Sequence, residues 1–293
     1  NAPLSNYFTE DDLAYLKDLN YESWFDAIWQ PANMQRHNIS FSGGSDKITF
    51  FAGGSYQNEN GNYAAIKQDK YSFRSGVVAN IARGFKADIN FNVDHRIRYS
   101  GNPTANEDQA FIEAMTQIPR WVPTEINGQY VNIGGSNPNP VAVTQSGYYN
   151  SNKSAGYRIN AALSYDFAGF LSGLTARLQV SQSTTNGSST QYRPPYTLYD
   201  FARFGPNNVL YRDSVISTTI INDGNNSNYN PSMDRANSYQ GFFTLQYAKT
   251  FRLHNISVLL GAEQSRNNSE SLGVRWLSQI LPGLDDYWAF DQS

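Results

Sequence analysis

Cysteine is absent from the 293 residues, which excludes disulfides and thiolate metal sites. No apolar run reaches the roughly 18 residues that a membrane-spanning helix needs. Barrel strands carry a much weaker signal per segment and escape that exclusion. Charge is sparse, at 16% of residues with a net value of -3. The clustered basic charge of nucleic-acid binders is missing, so no such partner is expected. The first residues lack the charged-then-apolar order of a secretory leader; either a leader was removed or the chain begins partway into a longer protein. G-x-S-x-G, Walker and H-E-x-x-H patterns are also lacking. Hydrolase and nucleotidase readings therefore have no nucleophile or phosphate cradle, and neither enzyme activity nor a cofactor is expected.

What is present is aromatic and alternating. Tyr (20) and Phe (17) are abundant. In "FKADINFNVDHRIRYSG", Phe85, Ala87, Ile89, Phe91 and Val93 share one face, while Lys86, Asp88, Asn90, Asn92, Asp94 and Arg96 share the other. "YSFRSGVVANIARG", "GYRINAALSYDF", "LTARLQVSQ" and "YAKTFRLHNISVLLGAEQS" repeat the pattern, and "HNISFSGG" and "ITFFAGGSYQN" are glycine-softened versions. About eight strands are expected. Charges at mid-strand would be costly in a dry core unless paired, but a solvated exterior accepts them as well as a watery lumen. Alternation therefore leaves a soluble sandwich and a membrane barrel both open.

Connection lengths separate the two. The links at 45–47, 82–86, 168–173 and 252–255 are tight, whereas those between them are moderate or very long (about 100–154 and 184–236). Long links are uncommon in compact domains. Here they fall at every second connection and so leave from one end, as in outer-membrane barrels with short periplasmic turns and long extracellular loops. With that orientation "HNISFSGG" runs inward from outside, so the chain should start inside an extracellular loop, with a barrel strand upstream.

Short helices are expected in the loops: "TEDDLAYLKDL" capped by Thr9, "SWFDAIW" capped by Ser23, and "NEDQAFIEAMTQIP" from Asn106 to before Pro119. Asp11 and Asp12 read as first-turn helix charges. His37, His95 and His254 read as separately placed rim or lumen residues, with no metal site. "NDGNNSNYNPSMD" (222–234) lacks calcium-loop spacing and reads as a solvated loop. Tyr71, Phe85, Tyr157, Tyr165, Phe167, Tyr239 and Tyr247 lie near strand ends on the apolar face, where interfacial girdles form. The candidate substrate-binding residues are the loop aromatics Trp121, Tyr130, Tyr148, Tyr149, Tyr192, Tyr196, Tyr199 and Phe204. They could stack on sugars or pack on peptide side chains, and could equally hold the loops together or dock a partner.

Two blocks are more specific. "YAKTFRLHNISVLLGAEQS" and "SWFDAIWQPANMQRHNISFSGGSDKITFFAGGSYQNENGNY" resemble the strand–turn–strand signatures of SusC/RagA-type TonB-dependent outer-membrane transporters. "DKYSFRSGVVANI", "NGQYVN" and "NPNPV" are similar to further parts of that family, in order along nearly the whole chain. The resemblance implies an all-β fold: a transmembrane antiparallel segment of a roughly 22-stranded barrel, matching its second to ninth strands. It also implies a SusD-type surface lipoprotein partner, together with a plug, a TonB-contacting segment and later strands that are expected to lie outside this sequence. By itself the polypeptide should not transport.

The expected organisation is an extracellular loop with short helices (1–34), two barrel hairpins (35–99), a long extracellular loop (100–153), a hairpin (154–183), a second long loop (184–235), a hairpin (236–270) and the start of another loop (271–293). The expected function is import of nutrient oligomers, glycan or peptide, across the outer membrane. The expected partners are the lipoprotein, TonB through parts not in this chain, the remaining barrel and plug, and outer-membrane lipid. The alternatives are a secreted β-sandwich carbohydrate-binding module and a passive porin-like barrel.

Overall fold

The computed structural model describes residues 8–19, 21–62, 66–101, 117–134, 139–205 and 208–291. In chain order come α1 (Glu10–Asp18), α2 (Trp24–Ile28), β1 (Asn33–Gly44), β2 (Ile48–Asn60), β3 (Lys67–Ala82) and β4 (Phe85–Ser100). Then follow β5 (Glu125–Ile126), β6 (Gln129–Tyr130), α3 (Pro140–Gln145), β7 (Tyr149–Asp166) and β8 (Leu174–Arg193). β9 (Tyr196–Phe204), β10 (Leu210–Ile221), β11 (Asn228–Phe251), β12 (His254–Gly273) and β13 (Trp276–Leu277) complete the set. Eight long strands make one antiparallel sheet, ordered β1-β2-β3-β4-β7-β8-β11-β12, with β13 added at the top of β11. Among the described residues, nothing pairs with the outer edges of β1 and β12.

The side-chain period of two keeps the faces apart across every pairing. One register row reads Ile48, Ala79, Ala87, Leu163, Leu178, Phe243, Ala262. The row beside it, on the other face, reads Thr49, Val78, Asp88, Ala162, Gln179, Phe242, Glu263. A sandwich would bury the first row against a second sheet. Instead Ile89, Leu163, Leu178 and Val258 are 51%, 43%, 46% and 49% exposed. Among the described residues nothing packs over these positions, and the apolar face is complementary to lipid.

Its height fits a bilayer. The upper limit is an aromatic row, His37, Tyr56, Tyr71 and His95, whose rings lie 6.4, 5.0 and 6.1 Å apart. At the lower limit Phe85 lies 6.3 Å from Tyr165, which lies 4.7 Å from Phe167. On β4 the span from Phe85 to His95 is ten residues, about 34 Å along a strand and about 26 Å of height at a tilt near 40°. His37 and His95 thus belong to an outward-facing girdle and do not reach the lumen.

All four short turns lie at one end: 45–47, Arg83–Gly84, 167–173 and Arg252–Leu253. They are also staggered. Ile48, at the first turn, is level in register with Phe243, and β11 continues eight residues further to Phe251 before turning. Tilted strands of a closing barrel require such shear.

The strands extend further at the other end than hydrophobic alternation suggests. β7 begins at Tyr149, β8 reaches Arg193 and β11 starts at Asn228, so the second half of "NDGNNSNYNPSMD" is paired strand rather than loop. Beyond the lipid the outer face no longer needs apolar residues. Ser, Thr and Asn take their place while backbone pairing continues, so the period-two signal fades before the strand does. β9 and β10 form a further hairpin within a link read from sequence as irregular. The helices capped by Thr9 and Ser23 are present; the third expected helix falls largely outside the described residues.

Candidate functional site

The inner face is a polar wall. Its upper half, over β1 to β7, carries Arg36, Lys70 and Arg96 in one register row and Arg74 and Arg158 in a row four residues lower. Two adjoining recesses of about 690 and 550 Å³ share Gln57, Lys70 and Arg74; the larger one also takes in Asp94, Arg96 and Arg158. On β8, β11 and β12 the same rows hold Gly187, Asp234 and Ser271, and Ser183, Ser238 and Asn267. The upper wall is therefore cationic over β1 to β7, while over β8, β11 and β12 these rows hold one carboxylate, Asp234, among small hydroxyl and amide groups.

Above it sits a lobe built from separate links. Trp24 and Ile28 precede β1; Val122, Val131 and Val141 come from the β4–β7 link; Phe201 and Tyr211 come from the β8–β11 link. Together they form one buried cluster. Each side chain of that size contributes about 1.5–3 kcal/mol on burial. Polar groups fix the geometry. Trp24 Nε1 donates to the Val122 carbonyl at 2.7 Å. The Asn139 side chain, 0% exposed, donates to the carbonyls of Thr124 and Val131 at 2.8 and 2.9 Å and accepts from the amides of Val141 and Ala142, both at 3.0 Å. It caps α3, whose first residue is Pro140, and at once satisfies two carbonyls flanking the β5–β6 hairpin. Asn127 and Gly128, with φ of 52° and 76°, make the tight turn between β5 and β6, a conformation that asparagine and glycine tolerate best. The Asn132 amide donates to the Tyr199 carbonyl at 2.8 Å, and Gln30 donates from its backbone to Asn62 at 2.7 Å, tying the β2–β3 link in as well.

A second cluster forms where residues 276–290 fold over the upper ends of β7, β8 and β11. Phe290 and Ala289 pack on Tyr192, with Tyr149, Tyr229 and Trp276 around them. Gln279 Nε2 donates to the Tyr192 hydroxyl at 2.9 Å, and the Tyr149 hydroxyl donates to Asp285 Oδ2 at 2.9 Å.

The candidate aromatics fall into two sets. Tyr148 and Tyr192 are buried, with hydroxyls accepting from Gln191 and Gln279. Trp121, Tyr130 and Tyr199 are half-buried against the first cluster, with Trp121 edge-on to Phe8 at 5.2 Å. Phe204 is edge-on to Tyr15 at 5.3 Å and lies under Arg212; Tyr149 and Tyr196 are half-buried. Burial pushes the phenols of Tyr148, Tyr196 and Tyr211 above the ordinary tyrosine range, and Tyr21 is pushed up to about 12 by burial and the nearby Tyr15. Two features escape sequence reading. Asn139 lies within "NPNPV", where Asn before Pro is a capping signal. The cations lie on polar faces that alternation identifies, but their gathering is visible only once register is known.

No family model matches the chain. TonB-dependent receptor P3 of Formosa agariphila is 22% identical over 263 residues, covering 84% of this chain and 23% of the relative. Among solved structures, the RagAB peptide transporter is 17% identical with a TM-score of 0.64, covering 97% of this chain and 30% of that one. The RagAB peptide importer in its closed-closed state is 18% identical with a TM-score of 0.63, covering 88% and 27%. The chain thus spans about a quarter of the relative and under a third of the solved chains it matches.

Proposed function

We propose that the chain is a stretch of a SusC/RagA-type TonB-dependent transporter barrel and forms wall and surface loops of an outer-membrane importer of nutrient oligomers. The observation that carries this reading is the two-faced open sheet: an apolar side of bilayer height left exposed among the described residues, and a polar, charged side lined by recesses. The short turns face the periplasm and the lobe faces outward. TonB coupling comes through a plug outside this chain, and a SusD-type surface lipoprotein covers the lobe. Domain roles follow the strands: residues before β1 and the β4–β7 and β8–β11 links are the extracellular surface. Among the loop aromatics, Trp121, Tyr130, Tyr149, Tyr196, Tyr199 and Phe204 offer partly open rings to cargo or partner, while Tyr148 and Tyr192 hold the scaffold.

The RagAB structures are those of a peptide importer, and the import reading here covers oligomers of either peptide or glycan. The test is growth and uptake in a strain deleted for the full-length gene. Complementation should restore uptake of an oligomer only when TonB is present. Passive, TonB-independent uptake would replace this reading with a porin. A protein that stays monodisperse in detergent-free buffer would replace it with a soluble module.

A further inference from the structure

We propose that the cationic part of the inner wall is a binding site for an oligosaccharide bearing repeated carboxylate or sulfate groups. The inference rests on the import reading above and names the cargo class.

Lys70 and Arg96 are directly opposed cross-strand neighbours, and Arg36 is in the same row one strand beyond Gln57. Like charges in directly opposed positions destabilise a sheet. Arg74 and Arg158 flank Asn92 in the same way, one on each side. Among the described residues, Asp94 is the one carboxylate lining the larger recess. Among the described residues, no carboxylate is in salt-bridge contact with Lys70, Arg74, Arg96 or Arg158. These four cations therefore line a recess beside a single described carboxylate, Asp94, and Arg36 lines the adjoining one, so their mutual repulsion is largely uncompensated. A cleft lined by one sign of charge concentrates counter-charge, and guanidinium forks match carboxylate and sulfate oxygens in pairs.

The neighbouring surface selects the backbone of that anion. One way to hold a peptide is along an unpaired strand edge, and the strands lining the larger recess are all paired on both sides. What the recess offers beside the cations is side-chain amide and hydroxyl: Gln57, Asn92, Ser154, Ser183 and Thr185. These suit sugar hydroxyls.

The experiment uses the full-length protein, with its plug, purified in detergent. Calorimetric binding is measured for an oligogalacturonate, a sulfated galactan oligosaccharide, a neutral oligosaccharide of equal length and an oligoglutamate peptide. At least one acidic oligosaccharide should bind about tenfold or more tightly than the neutral one, and its affinity should fall as salt rises. Arg74→Gln with Arg158→Gln should weaken it about tenfold and flatten the salt dependence, while Arg74→Lys with Arg158→Lys retains more binding. Heat-modifiable gel mobility confirms that each variant is folded. Equal binding of the neutral oligomer, tighter binding of oligoglutamate or an unchanged double variant would overturn the proposal. So would a variant whose only defect is a loosened plug, since the counter-charge would then belong to the plug. TonB-dependent uptake of neutral oligomers alone would end this inference and leave import standing; no TonB-dependent uptake of any oligomer would end both.

Discussion

The wall and the lobe are made from one chain, yet they bury apolar residues by opposite rules. In the wall, Leu178 and Val258 stay half open, and the strands are held by ladders of backbone hydrogen bonds between neighbours. In the lobe, Trp24, Val131 and Phe201 are closed off by residues from other links, as in a small soluble core. Neighbouring strand order is enough to build the first. The second requires segments separated by more than a hundred residues to meet.

That contrast can be broken from either side. The largest effect should come from Trp24→Ala, which removes an indole from the centre of the lobe and its bond to Val122. A loss of about 3–5 kcal/mol is expected. Limited proteolysis should then cut near residues 117–134 while the barrel keeps its heat-modifiable mobility. Leu178→Arg should cost about 2–4 kcal/mol of insertion stability near the midplane, whereas Gln179→Arg, on the inner face, should be mild. Urea titrations of outer-membrane-inserted protein separate the two, and equal effects would reverse the assignment of faces. Asn139→Ala leaves two buried carbonyls and the start of α3 without partners, for a loss of about 1–3 kcal/mol confined to the lobe. Hydrogen exchange at 122–145 should report it.

The smallest effect is expected from pH. Tyr21, Tyr148, Tyr196 and Tyr211 ionise later in the folded lobe than in an open chain. Above about pH 10 the open form has fewer bound protons than the folded one, so lobe stability falls with rising pH. The contribution is complete below that pH and lost progressively towards and above pH 12 for Tyr21. Alkaline titration followed by tyrosinate absorbance should show late, cooperative ionisation that Trp24→Ala abolishes.

The same contrast explains what a one-dimensional reading reaches. The faces of β3, β4, β7 and β8 were legible because period two is a local property, and the turn at Arg252–Leu253 because so few residues separate two alternating runs. The upper ends of β7, β8 and β11 were not, since Ser, Thr and Asn pair there without an apolar rhythm. The β9–β10 hairpin carries register shifts between Tyr211 and Ser217, which break its alternation. For the loop aromatics, composition cannot separate a ring that meets cargo from one that meets its own chain. Tyr192 under Phe290, with its hydroxyl bound to Gln279, is the second kind.

The first lobe cluster joins Trp24 to Tyr211 across almost the whole strand meander. Its pieces cannot meet until β1 to β8 have been laid side by side, so closure is a late, high-contact-order event. On the import reading, a newly made chain should carry these rings uncovered until the strands have paired. Protease resistance of the finished cap should then serve as a timestamp for completed insertion.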